Sequence, residues 1–185
     1  MLKPIETKYD GRFFRSRAEA RWAVFFSQLG VVYEYEPEGF ELPSGRWYLP
    51  DFRVRYVSGG RKKRLWIEVK PSGRDDDRKM SELACMLDRA TDEAIMVSTV
   101  EDYRDTLHSS ILQMNLTPLV VGDEYFAFCV CPDCEAFGFE FEGRSARIQC
   151  CAQPTGDGHG DKNRSYDNPR ILMALSAAMS ARFAT

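Results

Sequence analysis

Glu68 and Lys70 stand two residues apart in the run Arg64-Leu65-Trp66-Ile67-Glu68-Val69-Lys70. In an extended strand side chains alternate between faces, so the carboxylate and the ammonium project side by side while Leu65, Ile67 and Val69 take the other face. Asp51 opens a second β-rich run in which Phe52, Val54 and Tyr56 occupy the face opposite to it. If the two runs pair, Asp51 meets Glu68. Two neighbouring carboxylates repel unless a cation neutralises them, and hard oxygen donors of this kind suit Mg²⁺ or Mn²⁺. A carboxylate-held metal beside an ammonium supplies what phosphodiester hydrolysis needs: an activated water, a neutralised phosphoryl group and a stabilised leaving oxygen. Lys70 can position or deprotonate the water, or meet the charge of the pentavalent phosphorus; the residues do not choose between these roles.

Glu19 adds a third carboxylate. Ala18, Trp22, Phe25, Phe26 and Leu29 recur at helical spacing, with Ser16 as a cap and Gly30 as a stop, which predicts a helix over 16–29. Glu19 falls on the stripe of Trp22 and Phe26 and points with it toward the sheet, where a metal, Lys70, Arg15 or Arg17 can satisfy it. The ordinary alternative is a surface ion pair at the edge of the stripe.

The elements that must position these groups follow in order. A strand is expected over 31–36, two more over 48–56 and 64–70 joined by the Ser58-Gly59-Gly60 turn, and a helix over 75–90 behind Asp75-Asp76-Asp77. A strand over 94–99, a helix over 101–114 and a strand over 118–121 complete an α/β (α+β) arrangement, a mixed sheet flanked by helices. Pro71 ends the strand that carries Lys70.

From residue 123 the texture changes to short aromatic strands over 125–130, 137–141 and 146–150, interleaved with cysteines, and then a closing helix over 169–183. This predicts a core domain over 1–122 and a small β-rich, zinc-ribbon-like module with a C-terminal helix over 123–185. Cys131-Pro132-Asp133-Cys134 has the C-x-x-C spacing at which two thiolates reach one tetrahedral ion. Cys150 is the expected third ligand and His159 the fourth, with Cys151 or Cys129 as alternates, because adjacent strand residues point to opposite faces. A structural Zn²⁺ would steady a module too poor in aliphatics to hold a core alone.

Arg15-Ser16-Arg17-Ala18-Glu19-Ala20-Arg21-Trp22, Tyr48-Leu49-Pro50-Asp51-Phe52 and Trp66-Ile67-Glu68-Val69-Lys70 together resemble the helix-plus-hairpin core of the PD-(D/E)XK nucleases. The likeness is nearest to the branch of transposon-end nucleases and phage resolvase-like enzymes, and covers roughly residues 10–72 with the following helix and strand, about half the chain. It implies a restriction endonuclease-like fold and a Mg²⁺-dependent deoxyribonuclease, an endonuclease before an exonuclease. Glu19, Asp51, Glu68 and Lys70 fall on the positions of the family's reaction centre. The contrasting reading is a catalytically silent adaptor that binds nucleic acid or protein on a nuclease-like fold.

The net charge of −3 divides unevenly: residues 1–74 hold 15 Lys and Arg against 9 Asp and Glu, and the remainder 10 against 19. A basic front half suits a DNA backbone, with Arg15, Arg17, Arg61, Lys62 and Lys63 as the expected contacts. A protein partner or a second copy of the chain would meet the cysteine module. No apolar stretch suits a signal peptide or a membrane span, which together with the cysteine usage predicts a cytoplasmic protein with no membrane partner.

Overall fold

The computed structural model describes residues 4–70, 78–88, 90–97, 100, 117–118, 126–141, 148–151 and 168–183. It opens on a hairpin of β1 (Thr7–Tyr9) and β2 (Arg12–Phe14), turned by Asp10 and Gly11, both at positive φ. Helix α1 (Arg17–Gln28) follows, capped by the Ser16 hydroxyl, which accepts from the Glu19 N–H. It ends in a Schellman turn: Gly30, at φ 68°, donates to Ser27 and Val31 donates to Phe26.

The main sheet gathers β3 (Tyr33–Tyr35), β6 (Phe52–Ser58), β7 (Arg61–Val69), β8 (Asp92–Val97), β9 (Thr117–Pro118), β10 (Phe126–Val130) and β11 (Phe137–Phe141). The order is β10-β11-β6-β7-β8-β9, with β3 also paired to β6. Strands β6 and β7 form an antiparallel hairpin, whereas β7 and β8 are parallel and joined through α2 (Arg78–Met86). A small separate hairpin, β4 (Phe40–Glu41) with β5 (Trp47–Tyr48), leads into β6.

Alternation sorts the side chains into two cores. Phe52, Val54, Tyr56, Leu65, Ile67, Val69, Ile95 and Val97 face α1 and the C-terminal helix α3 (Pro169–Ser180). Trp66, Ala94 and Met96 face α2, with Leu42 and Tyr48 packed beside Met80 and Leu83. The architecture is a mixed sheet between helices, as the sequence pattern predicts.

The sheet and the larger core both cross the boundary expected at residue 122. Gly138 of β11 pairs in parallel with Val57 of β6. Phe128 of β10 lies 5.9 Å from the Trp22 ring, 5.8 Å from Phe25 and 6.1 Å from Phe26, and α3 contributes Ile171, Ala174, Leu175 and Ala178. The strand expected over 146–150 is absent at its described end: Ile148 lies in a turn and Gln149 adopts φ 49°. The helix expected over 101–114 and the first residues of that over 75–90 lie outside the described residues.

Candidate metal and catalytic centre

The β6–β7 register places Phe52 opposite Ile67, so the next pair outward is Asp51 and Glu68. Both are buried, at 3% and 7% exposure. Oδ2 of Asp51 accepts the Val69 N–H at 2.7 Å, and Oδ1 accepts Nη2 of Arg15 at 2.7 Å. Oε1 of Glu68 accepts the Lys70 ammonium and Oε2 accepts the Tyr48 hydroxyl at 2.8 Å. Glu68, Lys70, Tyr48, Lys79, Met80 and Met96 line a cavity of about 70 Å³ under α2.

Glu19 is buried too, but its partners are local. Oε1 accepts the Ser16 hydroxyl at 2.7 Å; Oε2 accepts the Tyr35 hydroxyl at 2.6 Å and the Arg15 N–H at 3.1 Å. Ser16-Arg17-Ala18-Glu19 is therefore a variant capping box, in which the glutamate satisfies the amide just before the cap. Of the four partners considered from sequence, Arg15 supplies a bond, through its backbone rather than its guanidinium. That guanidinium bridges Asp51 and Glu36, at 2.7 and 2.6 Å, while its side chain stays 58% exposed at the mouth of the centre.

Electrostatics link the three acids. Burial, then Glu68, then Glu19 push the Asp51 carboxyl up to about 8, against the opposing pull of the Val69 amide and Arg15. Asp51 therefore holds its proton more tightly than an exposed carboxyl does. Burial and Glu68 also raise the Tyr48 hydroxyl, which remains a donor, and burial and Glu19 do the same to Tyr35. The donor set suits a hard divalent cation. A carboxylate oxygen that already accepts one hydrogen bond keeps a second acceptor site. Even so, no three carboxylate ligand atoms among the described residues lie within 4.8 Å of one another, so an ion bound by all three acids would require them to draw together.

A tighter cluster lies at the far end of the hairpin, roughly 20 Å along β6 at the usual rise per residue. The ligand atoms of Cys131, Cys134, Cys150 and Cys151 all fall within 4.8 Å of one another, with 3.8 Å between Cys131 and Cys151 and 3.2 Å between Cys134 and Cys150. Four sulfurs at about 2.3 Å from a tetrahedral Zn²⁺ would stand about 3.8 Å apart. The cluster can therefore hold a metal ion such as zinc. Burial pushes the Cys131 thiol up, but backbone N–H groups of Cys134 and Asp133, together with the Cys150 and Cys134 thiols, bring it below its ordinary value. Burial and the Cys134 and Cys131 thiols push Cys150 up, and contact with Cys131 raises Cys151.

Cys151, the expected alternate, is the fourth sulfur of this cluster; His159 lies outside the described residues. Adjacent cysteines converge because residues 148–151 bend instead of forming a strand. Cys129 is fully buried against Cys131 and Ile148 and is not one of the four.

Alternation also divides the basic run. Lys63 is ion-paired with Glu93, while Arg61 and Lys62 are exposed at the hairpin's tip and Arg17 is exposed at the start of α1. Tyr48, Tyr35 and Lys79 were not anticipated as part of the centre. For Tyr48 a signal exists, since it lies three residues before Asp51 on an alternating run whose outward members are Trp47 and Leu49. Among the described residues no helix is long and apolar enough to cross a membrane. No protein-family model, curated protein or solved structure matches the chain.

Proposed function

We propose that the chain is a metal-dependent nuclease of the PD-(D/E)XK type, hydrolysing DNA phosphodiester bonds at Asp51, Glu68 and Lys70. The observation that carries the reading is the buried Asp51–Glu68 pair on adjacent strands, with the Asp51 carboxyl pushed up to about 8 by burial, Glu68 and Glu19. Asp51 and Glu68 would hold Mg²⁺ or Mn²⁺, with Glu19, held by Tyr35 and the Arg15 N–H, adding negative charge that favours a cation between them. A divalent ion bound there would polarise the scissile phosphoryl group and acidify a water. Tyr48 fixes the Glu68 carboxylate by donating to one oxygen, leaving Lys70 to hold the other. Lys70, one-third exposed, can swing from Glu68 to the attacking water or to the phosphoryl oxygens. Arg15 is placed at the mouth to meet an incoming phosphate. The fold would then be restriction endonuclease-like, and the thiol cluster would hold a structural Zn²⁺.

One observation favours a silent adaptor instead. Both oxygens of Asp51 and of Glu68 already accept hydrogen bonds from the protein, as a self-contained network would. A cleavage assay with Mg²⁺ or Mn²⁺ on duplex, single-stranded and branched DNA separates the two. Cleavage lost in both Glu68→Ala and Lys70→Ala, with Asp51→Ala losing a calorimetric Mn²⁺ site, supports the nuclease. Cleavage unchanged in both variants removes it.

A further inference from the structure

The α2-side face of the β6–β7 hairpin carries charge in a pattern that the reaction centre alone does not explain. On β6, Phe52, Val54 and Tyr56 point into the larger core, which turns Arg53 and Arg55 to the other side. On β7, Leu65, Ile67 and Val69 do the same and turn out Lys62, Arg64 and Trp66, in line with Glu68. The register sets Arg55 directly opposite Arg64 and places Lys62 opposite Val57, two pairs nearer the tip and so on the same face. Arg53 lies over the Trp66 ring at 5.2 Å and is paired with Glu34; Arg64 is paired with Asp92. Arg55 and Lys62 are exposed and make no ion pair among the described residues. Like charges facing each other across strands destabilise a hairpin. A hairpin that needed only solubility could mix signs on this face; here the cations converge on one stripe that ends at Asp51 and Glu68.

We infer that this stripe, Lys62, Arg55, Arg64 and Arg53 in order toward Glu68, is a track for the phosphodiester backbone of a nucleic acid. A polyanion supplies Arg55 and Lys62 with the counter-charge that Asp92 already gives Arg64 and that Glu34 and Glu38 give Arg53, and leads its backbone toward the carboxylates. A second feature distinguishes a nucleic acid from other polyanions. Trp47 is 71% exposed, unusual for a residue this large, and immediately precedes the Tyr48 that holds Glu68. An open indole one residue along β5 from Tyr48, on the opposite face of that strand, is a platform on which a nucleobase can stack. The inference rests on the proposed phosphodiester chemistry only for what happens at the end of the track; binding is a separate measurement.

The test uses the full-length chain and fluorescein-labelled oligonucleotides, single-stranded and duplex, in buffer without Mg²⁺ or Mn²⁺. Fluorescence anisotropy is read across a salt series, with circular dichroism melts confirming that each variant folds. Removing two phosphate contacts with the double change Arg55→Ala and Lys62→Ala lowers the log–log salt slope by about 1.4–1.8, at roughly 0.7–0.9 per contact. The expected loss of affinity is at least tenfold. Lys63→Ala, which removes a cation already engaged by Glu93, leaves slope and affinity near wild type. Trp47→Ala weakens binding about fivefold or more and abolishes the oligonucleotide-induced change in tryptophan emission, since Trp22 and Trp66 are buried. A double variant that binds with wild-type affinity and slope overturns the track, whatever the cleavage assay shows. Track-dependent binding in a protein whose Glu68→Ala variant still cleaves normally upholds the track and removes the nuclease reading. Equal retention of a sulfated polysaccharide by wild type and Trp47→Ala, with no discrimination in favour of oligonucleotides, overturns the identification of a nucleic acid.

Discussion

Replacing Asp51 with asparagine should make the protein's stability less sensitive to pH, and the size of the effect follows from the burial of the centre. The carboxyl is 3% exposed and is pushed up from 3.8 to about 8 by burial, Glu68 and Glu19. The folded state therefore keeps a proton that the unfolded chain releases above pH 4. With fewer protons bound in the unfolded state, stability falls as pH rises through the window from about 4 to about 8. Integrated over that window, the loss at pH 7 is about 4 kcal/mol, of which about 2–3 kcal/mol accrues between pH 5 and pH 7. Asparagine has no such proton to lose, but it offers one carbonyl oxygen to two donors, Arg15 and the Val69 amide, at a cost of about 1–3 kcal/mol. The variant should be no more stable than wild type at pH 5 and should overtake it by pH 8. Urea unfolding at unit pH steps, in buffer without added Mg²⁺ or Mn²⁺, measures the difference directly. Subtracting one protein from the other cancels titrating groups common to both. Millimolar Mn²⁺ should restore wild type at pH 8 and leave Asp51→Asn unmoved. A wild-type minus variant difference that stays flat from pH 5 to pH 8 would refute the reasoning.

Two further outcomes follow from the packing. Phe128→Ala removes a fully buried ring wedged against Trp22, Phe25 and Phe26, and should cost about 3–5 kcal/mol while the two halves of the chain still unfold in one transition; two separate calorimetric peaks would contradict a shared core. Cys151→Ser should lower zinc content and Cys129→Ser should leave it unchanged, as read by metal analysis of purified protein, because Cys151 lies among the four converging sulfurs and Cys129 does not.

Much of the carboxylate cluster was legible because its signals are local or nearly so. Alternation around Glu68 and Lys70, the Ser58-Gly59-Gly60 turn and the apolar stripe of Trp22 and Phe26 suffice to bring Asp51 opposite Glu68 and Glu19 toward the sheet. Other local signals passed unread. Asp10-Gly11 between Tyr9 and Arg12 is a strong hairpin signature, and Ser16 followed three residues later by Glu19 spells the capping box that occupies that glutamate. The distant pairings had no such marker. Nothing near Gly138 announces that it will lie beside Val57, and the aromatics of β10 look like a small module's own core until Trp22, far back in the chain, is set against them. Strand alternation sends Cys150 and Cys151 to opposite faces, whereas Gln149 at φ 49° takes the chain out of strand geometry just before them and lets both sulfurs meet.

Gly138 has an effect beyond its own strand. A methyl group there would stand 2.2 Å from Cγ2 of Ile148 and 3.1 Å from the Cys129 sulfur, so the bare backbone is what lets the isoleucine seat against β11. From that seat the Ile148 carbonyl accepts the Gly60 N–H at 2.7 Å, mooring the tip of the long hairpin to the four-residue bend that also delivers two thiols. The tip thus hangs from the cysteine bend, not from the strands alone. Whatever loosens the bend, whether chelation, oxidation or an alanine at 138, should register first as faster amide exchange at Gly60, before the sheet itself gives way.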